Sequence, residues 1–192
     1  MEPSKKYDAA DIESRWQAYW EQEQLYAWNP ECGRDETFAV DTPPPTVSGS
    51  LHVGHMFSYS HQDFIVRYQR MKGKNIFFPI GWDDNGLPTE RRVQNMYNVK
   101  CEPHVHYSAE FQAERGRKGA PMPISRRNFI ELCDVVTRED EEAFRHLWTR
   151  LGLSYDWSLE YATIDEHCRR TSQASFLDMF SKGEVYQDNR PV

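Results

Sequence analysis

Residues 43–55 read PPPTVSGSLHVGH, and this stretch decides the fold. Three prolines are followed by small polar residues and a glycine, and then by two histidines three positions apart. Proline has no N–H to donate to a neighbouring strand, so a strand ends where the prolines begin. The apolar run TFAVDT (37–42) before the prolines is therefore predicted as a strand. LHVGHMFSYSHQDFIVRYQRMKGK after them is predicted as a long helix over 51–72, with an apolar stripe of Phe57, Phe64, Ile65, Tyr68 and Met71.

The same pattern recurs downstream. NIFFPIGWDDNG (75–86) reads as a second buried strand that breaks into a Gly/Asp loop, and LPTERRVQNMY begins another helix with Pro88 in its first turn. Strand, loop, helix, strand, loop and helix in this order predict an α/β fold with a doubly wound parallel sheet. In such sheets ligands bind beyond the carboxyl ends of the strands. The loops 43–50 and 81–86 both fall at that edge, which predicts a site there.

The rest of the chain is predicted to be helical apart from one insertion. An N-terminal helix follows Asp8 as its N-cap. Residues 102–127, rich in proline and glycine, are interpreted as a loop or insertion. A helix over 137–153 with Thr137 as N-cap and another over 165–186 complete the pattern.

The two histidines of the first loop suit a phosphate. A helix N-terminus presents unpaired N–H groups and partial positive charge. His52 and His55 lie in the first turn, three residues apart and so roughly on one face, and their imidazole N–H groups can donate to phosphate oxygens. Gly54 between them lets a ligand approach closely. Two alternatives stay open: ordinary cap or core histidines, and a metal pair, for which no third ligand stands nearby.

Asp83 and Asp84 end the second strand in the sequence GWDDNG. An acid in a cleft is a natural partner for the ammonium group of a ligand. The alternative is an Asx-type turn or a helix cap, which is common for Asp-Asn-Gly. Spacing alone does not choose between the two.

Composition limits the partners and the compartment. The 192 residues carry a formal net charge of −7, so a nucleic-acid partner would need a local basic patch. Four widely spaced cysteines form no Cys-x-x-Cys pair, which argues against zinc and favours reduced thiols in the cytoplasm. No apolar run approaches the length of a membrane helix, and the N-terminus has no apolar targeting segment.

Together these residues resemble class I aminoacyl-tRNA synthetases. His52-Val53-Gly54-His55 is similar to the HIGH signature of that family, and GWDDNGLPTE (81–90) is similar to the loop after the second strand in its branched-aliphatic subgroup. Within the subgroup, PPPTVSGSLHVGH resembles the valyl pattern PPPxVxGxLHxGH. ISRRNFIELC and LGLSYDWSLEYATID are also valyl-like, so the resemblance covers nearly the whole chain.

The resemblance implies a fold and a division of the chain. Residues 37–192 would form the first half of the Rossmann-like catalytic nucleotide-binding domain, with a helical insertion, and would stop just before an editing insertion. Residues 1–36 would be an N-terminal helical extension. Family enzymes are several times longer, and their KMSKS loop, editing insertion and anticodon-binding domain have no counterpart in this sequence.

The resemblance also implies a reaction and its residues. The carboxylate of L-valine attacks the α-phosphorus of ATP, with Mg²⁺ on the phosphates, and the valyl group is then transferred to tRNA(Val). Contacts with the tRNA would come through parts missing from this chain, and the isolated segment is expected to be inactive or very weak. His52 and His55 would be catalytic, and no residue would hold a metal. The implied ligand contacts are Gly49, His52, Gly54 and His55 for ATP, and Pro43, Pro44, Thr46 and Asp83 for the amino acid.

Two other functions remain open at this point. The chain could be a complete small nucleotidyltransferase of the same superfold, since those enzymes also begin a helix with a His-x-Gly-His motif. It could also be a non-catalytic nucleotide-binding module. Exchange of pyrophosphate into ATP, with or without an amino acid, distinguishes the three.

Overall fold

The computed structural model describes residues 8–47, 51–84 and 86–189. In these parts of the chain strands and helices alternate through the first half, as the sequence predicts. The helices are α1 Ala9–Gln22, α2 Val53–Met71, α3 Leu87–Tyr97, α4 Arg126–Arg150 and α5 Glu166–Ser181, with a short 3₁₀ helix at Trp157–Leu159. The strands are β1 Thr37–Ala39, β2 Asn75–Phe77, β3 Gly81–Trp82, β4 Val99–Cys101, β5 Met122–Ile124 and β6 Tyr161–Ala162.

All three strand pairs in the described residues are parallel. β1 pairs with β2, β3 with β6, and β4 with β5. The segment 75–83 lies in the middle of a parallel layer, which we call the main layer. On one side Val40 N–H donates to Phe77 O at 3.0 Å, and on the other side Tyr161 N–H donates to Ile80 O at 3.2 Å. The predicted α/β class with a parallel sheet is confirmed.

The core consists of two apolar clusters. The larger one joins the central segment to α2 and α4, and its fully buried side chains include Phe78, Ile80, Trp82 and Trp148. The smaller one lies between α3, β4, β5 and α4, around Val93, Ile124 and Val136. Helix α4 contributes to both clusters and so connects the main parallel layer to the β4–β5 unit.

Helix α2 buries a different face from its apolar stripe. Its buried residues are Tyr59, Asp63 and Val66. The predicted stripe is exposed at every position: Phe57, Phe64, Ile65, Tyr68 and Met71. The inward face holds a polar residue because Asp63 has partners, accepting a hydrogen bond from Ser154 N–H at 2.8 Å and pairing with Arg67 at 2.6 Å.

Two predicted boundaries in the second half are wrong. Residues 102–127 are not wholly a loop, since β5 lies within them and adds a parallel partner to β4. The following helix does not begin at Thr137 but at Arg126, where the Ser125 side chain accepts from Asn128 N–H at 3.1 Å. Thr137 is buried inside α4. Threonine is a common N-cap residue, but Thr137 lies on the helical face that packs into the smaller core.

The terminal helices follow the prediction more closely. Asp8 caps α1 by accepting from Asp11 N–H at 3.4 Å, and Asp165 caps α5 by accepting from Cys168 N–H at 2.6 Å. Helix α1 packs on α4, and Gln17 donates to Arg150 O at 3.1 Å. None of the described helices is both long enough and apolar enough to cross a membrane.

Candidate active site

The two predicted loops meet through a parallel β-bridge between Thr46 and Asp83. Asp83 N–H donates to Pro45 O at 2.9 Å, and Val47 N–H donates to Asp83 O at 3.0 Å. The Thr46 hydroxyl also donates to Oδ2 of Asp83 at 3.2 Å. The proline loop therefore continues alongside the end of β3, and the side chains of Thr46 and Asp83 lie next to each other at the carboxyl edge of the layer.

The proline run is held rigidly against α2. Tyr59 donates its hydroxyl hydrogen to Pro43 O at 2.8 Å, and its ring packs on Trp148. Pro43 is exposed, Pro44 is half-buried and Pro45 is buried. Because each proline also fixes its own φ angle, this loop can present a preformed surface to a ligand.

His52 and His55 form an interlocked pair at the start of α2. Gly54 N–H donates to Nδ1 of His52 at 3.1 Å, and His52 N–H donates to Nδ1 of His55 at 3.3 Å. The ring centroids are 3.9 Å apart. Since both Nδ1 atoms accept hydrogen bonds from the backbone, each neutral imidazole carries its proton on Nε2. Both histidines thus satisfy backbone N–H groups at the helix start, and each presents an Nε2–H donor for which the described residues show no hydrogen-bond acceptor.

The surroundings of His55 favour its neutral imidazole. Burial lowers the pKa of His55, and the neighbouring His52 lowers it further. The His55 ring also contacts the edge of the buried Phe144 ring, with centroids 6.1 Å apart. A neutral Nε2–H group beside a helix N-terminus can donate to an anionic oxygen without a change of protonation state.

Packing also favours a glycine at position 54. A Cβ atom at this position would lie 3.0 Å from Cε1 and Nδ1 of His52. A side chain here would press on the ring that caps the helix. The other glycine of the predicted ATP site, Gly49, lies outside the described residues.

The two aspartates have different environments. Asp83 is half-exposed and reaches the loop surface, whereas Asp84 is only 6% exposed. Gly86 occupies the N-cap of α3 and makes no side-chain cap hydrogen bond, so neither aspartate is the N-cap residue of that helix. Burial raises the pKa of Asp84. Of the two, Asp83 is the carboxylate that a ligand can reach.

Several residues that support the site were missed by sequence reasoning. Pro45 supplies the carbonyl that fixes Asp83, Tyr59 anchors the proline loop, and Trp82 donates its indole N–H to Glu160 at 2.8 Å directly before Asp83. Glu141 of α4 lies beside Asp84. No motif marks these residues, because each acts through a contact that only the fold creates. In the described parts of the chain no cluster of three or more His, Cys, Asp or Glu side chains could hold a metal.

The arrangement defines the class of protein to which the chain belongs. The family model of the class I tRNA synthetases (I, L, M and V) matches residues 15–192. This chain is a member of that family. The parallel layer, the His-x-Gly-His helix start and the Asp83 loop lie within the matched residues.

Individual relatives point to one branch of the family. The chain is 55% identical over 181 residues to a valine–tRNA ligase of Salinispora arenicola and 52% identical over 182 residues to one of Thermobifida fusca. Each match covers 94% of this chain but 21% of the relative. The chain therefore spans about a fifth of the length of the curated relatives it matches.

A solved structure supports the same fold. The LeuRS–tRNA–LeuAMS ternary complex of Agrobacterium radiobacter matches 96% of this chain with a TM-score of 0.71 and 26% sequence identity. The match covers 19% of that chain. The predicted resemblance to the N-terminal segment of a valyl enzyme is confirmed by these relatives.

Proposed function

We propose that this chain supplies the N-terminal part of the amino-acid activation site of a valine–tRNA ligase. In the reaction, a carboxylate oxygen of L-valine attacks the α-phosphorus of ATP and the bond to the bridging oxygen breaks. Pyrophosphate leaves and valyl-adenylate forms. The valyl group then passes to tRNA(Val), which releases AMP.

The observation that carries this proposal is the bridge between Thr46 and Asp83. Oδ2 of Asp83 accepts the Thr46 hydroxyl hydrogen at 3.2 Å, and backbone hydrogen bonds fix Asp83 on both sides. The other carboxylate oxygen, for which the described residues show no hydrogen-bond donor, is proposed to accept from the ammonium group in a charge-assisted bond. Pro43, Pro44 and Thr46 would border the valine side chain.

The histidine pair is proposed to contact the phosphates of ATP, whereas Asp83 would contact the valine ammonium group. With both Nδ1 atoms engaged by the backbone, the Nε2–H groups of His52 and His55 are the donors proposed to contact the phosphates of ATP. The helix N-terminus adds partial positive charge, and Gly49 and Gly54 would allow close approach. Charge that builds up on the leaving pyrophosphate is then stabilised by groups already in position.

Mg²⁺ is proposed to act as a partner of ATP rather than as a protein-held ion. An Mg²⁺ ion that is held mainly by phosphate oxygens needs few ligands from the protein. When bound, Mg²⁺ supplies charge neutralisation at those oxygens. The residues of this chain supply orientation and hydrogen-bond donors.

The tRNA is proposed to contact mainly other parts of the enzyme. The net charge is −7. Two short basic runs, 115–118 and 126–127, are partly neutralised, since Arg115 pairs with Glu139 and Arg127 with Glu131. A cytoplasmic location is proposed as well. It fits the four cysteines, which are all free thiols. We also retain the proposed division into an extension, 1–36, and a catalytic part, 37–192.

The test is amino-acid-dependent exchange of pyrophosphate into ATP by the full-length enzyme. Valine should stimulate exchange far more than leucine or methionine, and the isolated chain should show little or none. Exchange without any amino acid would support a small nucleotidyltransferase instead. Nucleotide binding without exchange by the full-length enzyme would support a binding module.

A further inference from the structure

A second pair of acidic side chains lies directly behind Asp83. Both carboxylate oxygens of Asp84 are buried and receive no hydrogen bond from an N–H or O–H group of the described residues. Glu141, half-buried on α4, is the group within hydrogen-bonding reach of Asp84. Two carboxylates cannot bond to each other unless one of them carries a proton, because both are acceptors.

The surrounding charges do not neutralise this pair. Asp83 lies on the same segment and Glu160 precedes β6, and both add negative charge. Arg138 of α4 is the nearby cation that opposes them. Arg145 and Arg92, also near this part of α4, are already paired with Glu160 and Asp140. An ionised pair would therefore leave buried negative charge that Arg138 offsets only in part, which is unfavourable.

We propose that Asp84 and Glu141 share one proton and that this pair joins the end of β3 to α4, so that it positions the neighbouring Asp83. The proton-sharing part rests on the burial of Asp84, on the missing donor to its carboxylate among the described residues, and on its closeness to Glu141. The positioning part rests on the proposed function, because it concerns the carboxylate assigned to the valine ammonium. Neither residue touches the ligand in this account, and both act through the backbone of 83–84.

The titration behaviour agrees with this arrangement. Burial raises the pKa of Glu141, and the nearby Asp84 carboxylate raises it further, to about 7. A folded-state pKa above the unfolded value of 4.5 means that folding favours the protonated form. The stability that the shared proton provides is therefore complete below about pH 4.5 and is lost as the pH rises to about 7. Above that range the two carboxylates repel each other across the contact.

The first experiment measures thermal unfolding of the 192-residue chain against pH, for the wild type and for Glu141→Gln. A glutamine amide donates permanently to Asp84, so the variant should gain several degrees in melting temperature over the wild type at about pH 8 and lose that advantage at about pH 5. Glu142→Gln, an exposed change one position along the same helix, should follow the wild type at every pH. A constant difference between Glu141→Gln and the wild type across this range would overturn the shared proton.

The second experiment measures the KM values for valine and ATP in the full-length enzyme across the same pH range. In the wild type the valine KM should rise several-fold above neutral pH, while in Glu141→Gln it should stay flat. The ATP KM should not follow this pattern in either protein. Parallel valine profiles in the two proteins would overturn the positioning role. If the wild-type enzyme shows no valine-dependent exchange at all, the proposed function and the positioning role both fail. The pH dependence of the melting temperature then remains the test of the shared proton.

Discussion

The Thr46 hydroxyl donates to Oδ2 of Asp83 at 3.2 Å, and the backbones of the same two residues form a parallel bridge. The two loops that sequence patterns single out are thus joined by both their main chains and their side chains. One oxygen of Asp83 is engaged within the protein, and the other is proposed to meet the ligand. This relationship leads to the first prediction.

Replacement of Thr46 by valine should weaken the use of valine modestly. The side chain keeps its shape but loses the hydroxyl that orients Asp83, and such a hydrogen bond is worth about 1 kcal/mol, or roughly fivefold. The KM for valine in pyrophosphate exchange should rise by that factor, with the KM for ATP unchanged. Thr46→Ser retains the hydroxyl and should resemble the wild type. A larger effect of the serine variant than of the valine variant would contradict the role.

The histidine pair should act mainly in the transition state. Changing His52 or His55 to alanine in the full-length enzyme should lower kcat for exchange about a hundred- to a thousandfold, and should raise the KM for ATP much less. Donors aimed at charge that develops on the leaving group appear in kcat, whereas uniform binding contacts appear in KM.

The control for this prediction is His52→Asn. Asparagine is a good N-cap, so its side-chain oxygen can replace Nδ1 as the acceptor at the start of α2 while the Nε2 donor is lost. The variant should melt near the wild type and still lose kcat. A variant that melts normally and exchanges at the wild-type rate would remove His52 from the mechanism.

Gly81 should tolerate no side chain. A Cβ atom there would lie 2.2 Å from the Tyr161 ring, which crosses the β3–β6 pair. Gly81→Ala should lower the free energy of unfolding by about 1–3 kcal/mol, because the ring and the strand must shift to make room. Urea denaturation measures this loss of free energy of unfolding. Gly33→Ala is the matched control, since its Cβ would meet Glu36 at an ordinary 3.7 Å. Combining Gly81→Ala with Tyr161→Ala should remove the clash, and additive losses in the double variant would contradict this explanation.

Asp63 should be the most important polar residue for the stability of α2. It pairs with Arg67 at 2.6 Å and accepts from Ser154 N–H at 2.8 Å, while only 3% exposed. Asp63→Ala leaves a buried N–H group and a partly buried guanidinium without this partner. The expected loss is about 3 kcal/mol in urea unfolding, the lower end for a broken buried pair because Arg67 is partly exposed. Asp178→Ala removes an exposed i,i+4 pair with Lys182 and should change stability by less than about 0.5 kcal/mol.

Much of the fold could be predicted because its signals are local. The proline run ends a strand, and Asp8 caps the helix that follows it. The start of α4 was misplaced because Ser125 directly follows a proline-rich segment, while Thr137 stands before an acidic run that resembles a first helical turn. The apolar spacing of Phe129, Leu132, Cys133 and Val136 would have indicated the earlier start.

What could not be predicted depends on contacts between distant residues. The buried face of α2 includes Asp63, whose partner Ser154 is 91 residues away, so hydrophobicity alone selects the wrong face. The site was predicted from residue types that carry chemistry, namely the histidines and Asp83. Pro45, Tyr59 and Glu141 support those residues only through the fold, and the roles of Gly49, His52, His55 and Asp83 toward ligands remain predictions.

The most direct test of the central claim is the pair of KM values for valine and ATP in Asp83→Asn of the full-length enzyme. Asparagine keeps the size of the side chain and the backbone bridge but removes the charge that would hold the ammonium group. A charge-assisted hydrogen bond contributes about 1.5–3 kcal/mol, so the valine KM should rise roughly ten- to a hundredfold while the ATP KM stays near its wild-type value. Equal increases in both KM values, in a variant that melts like the wild type, would contradict the account.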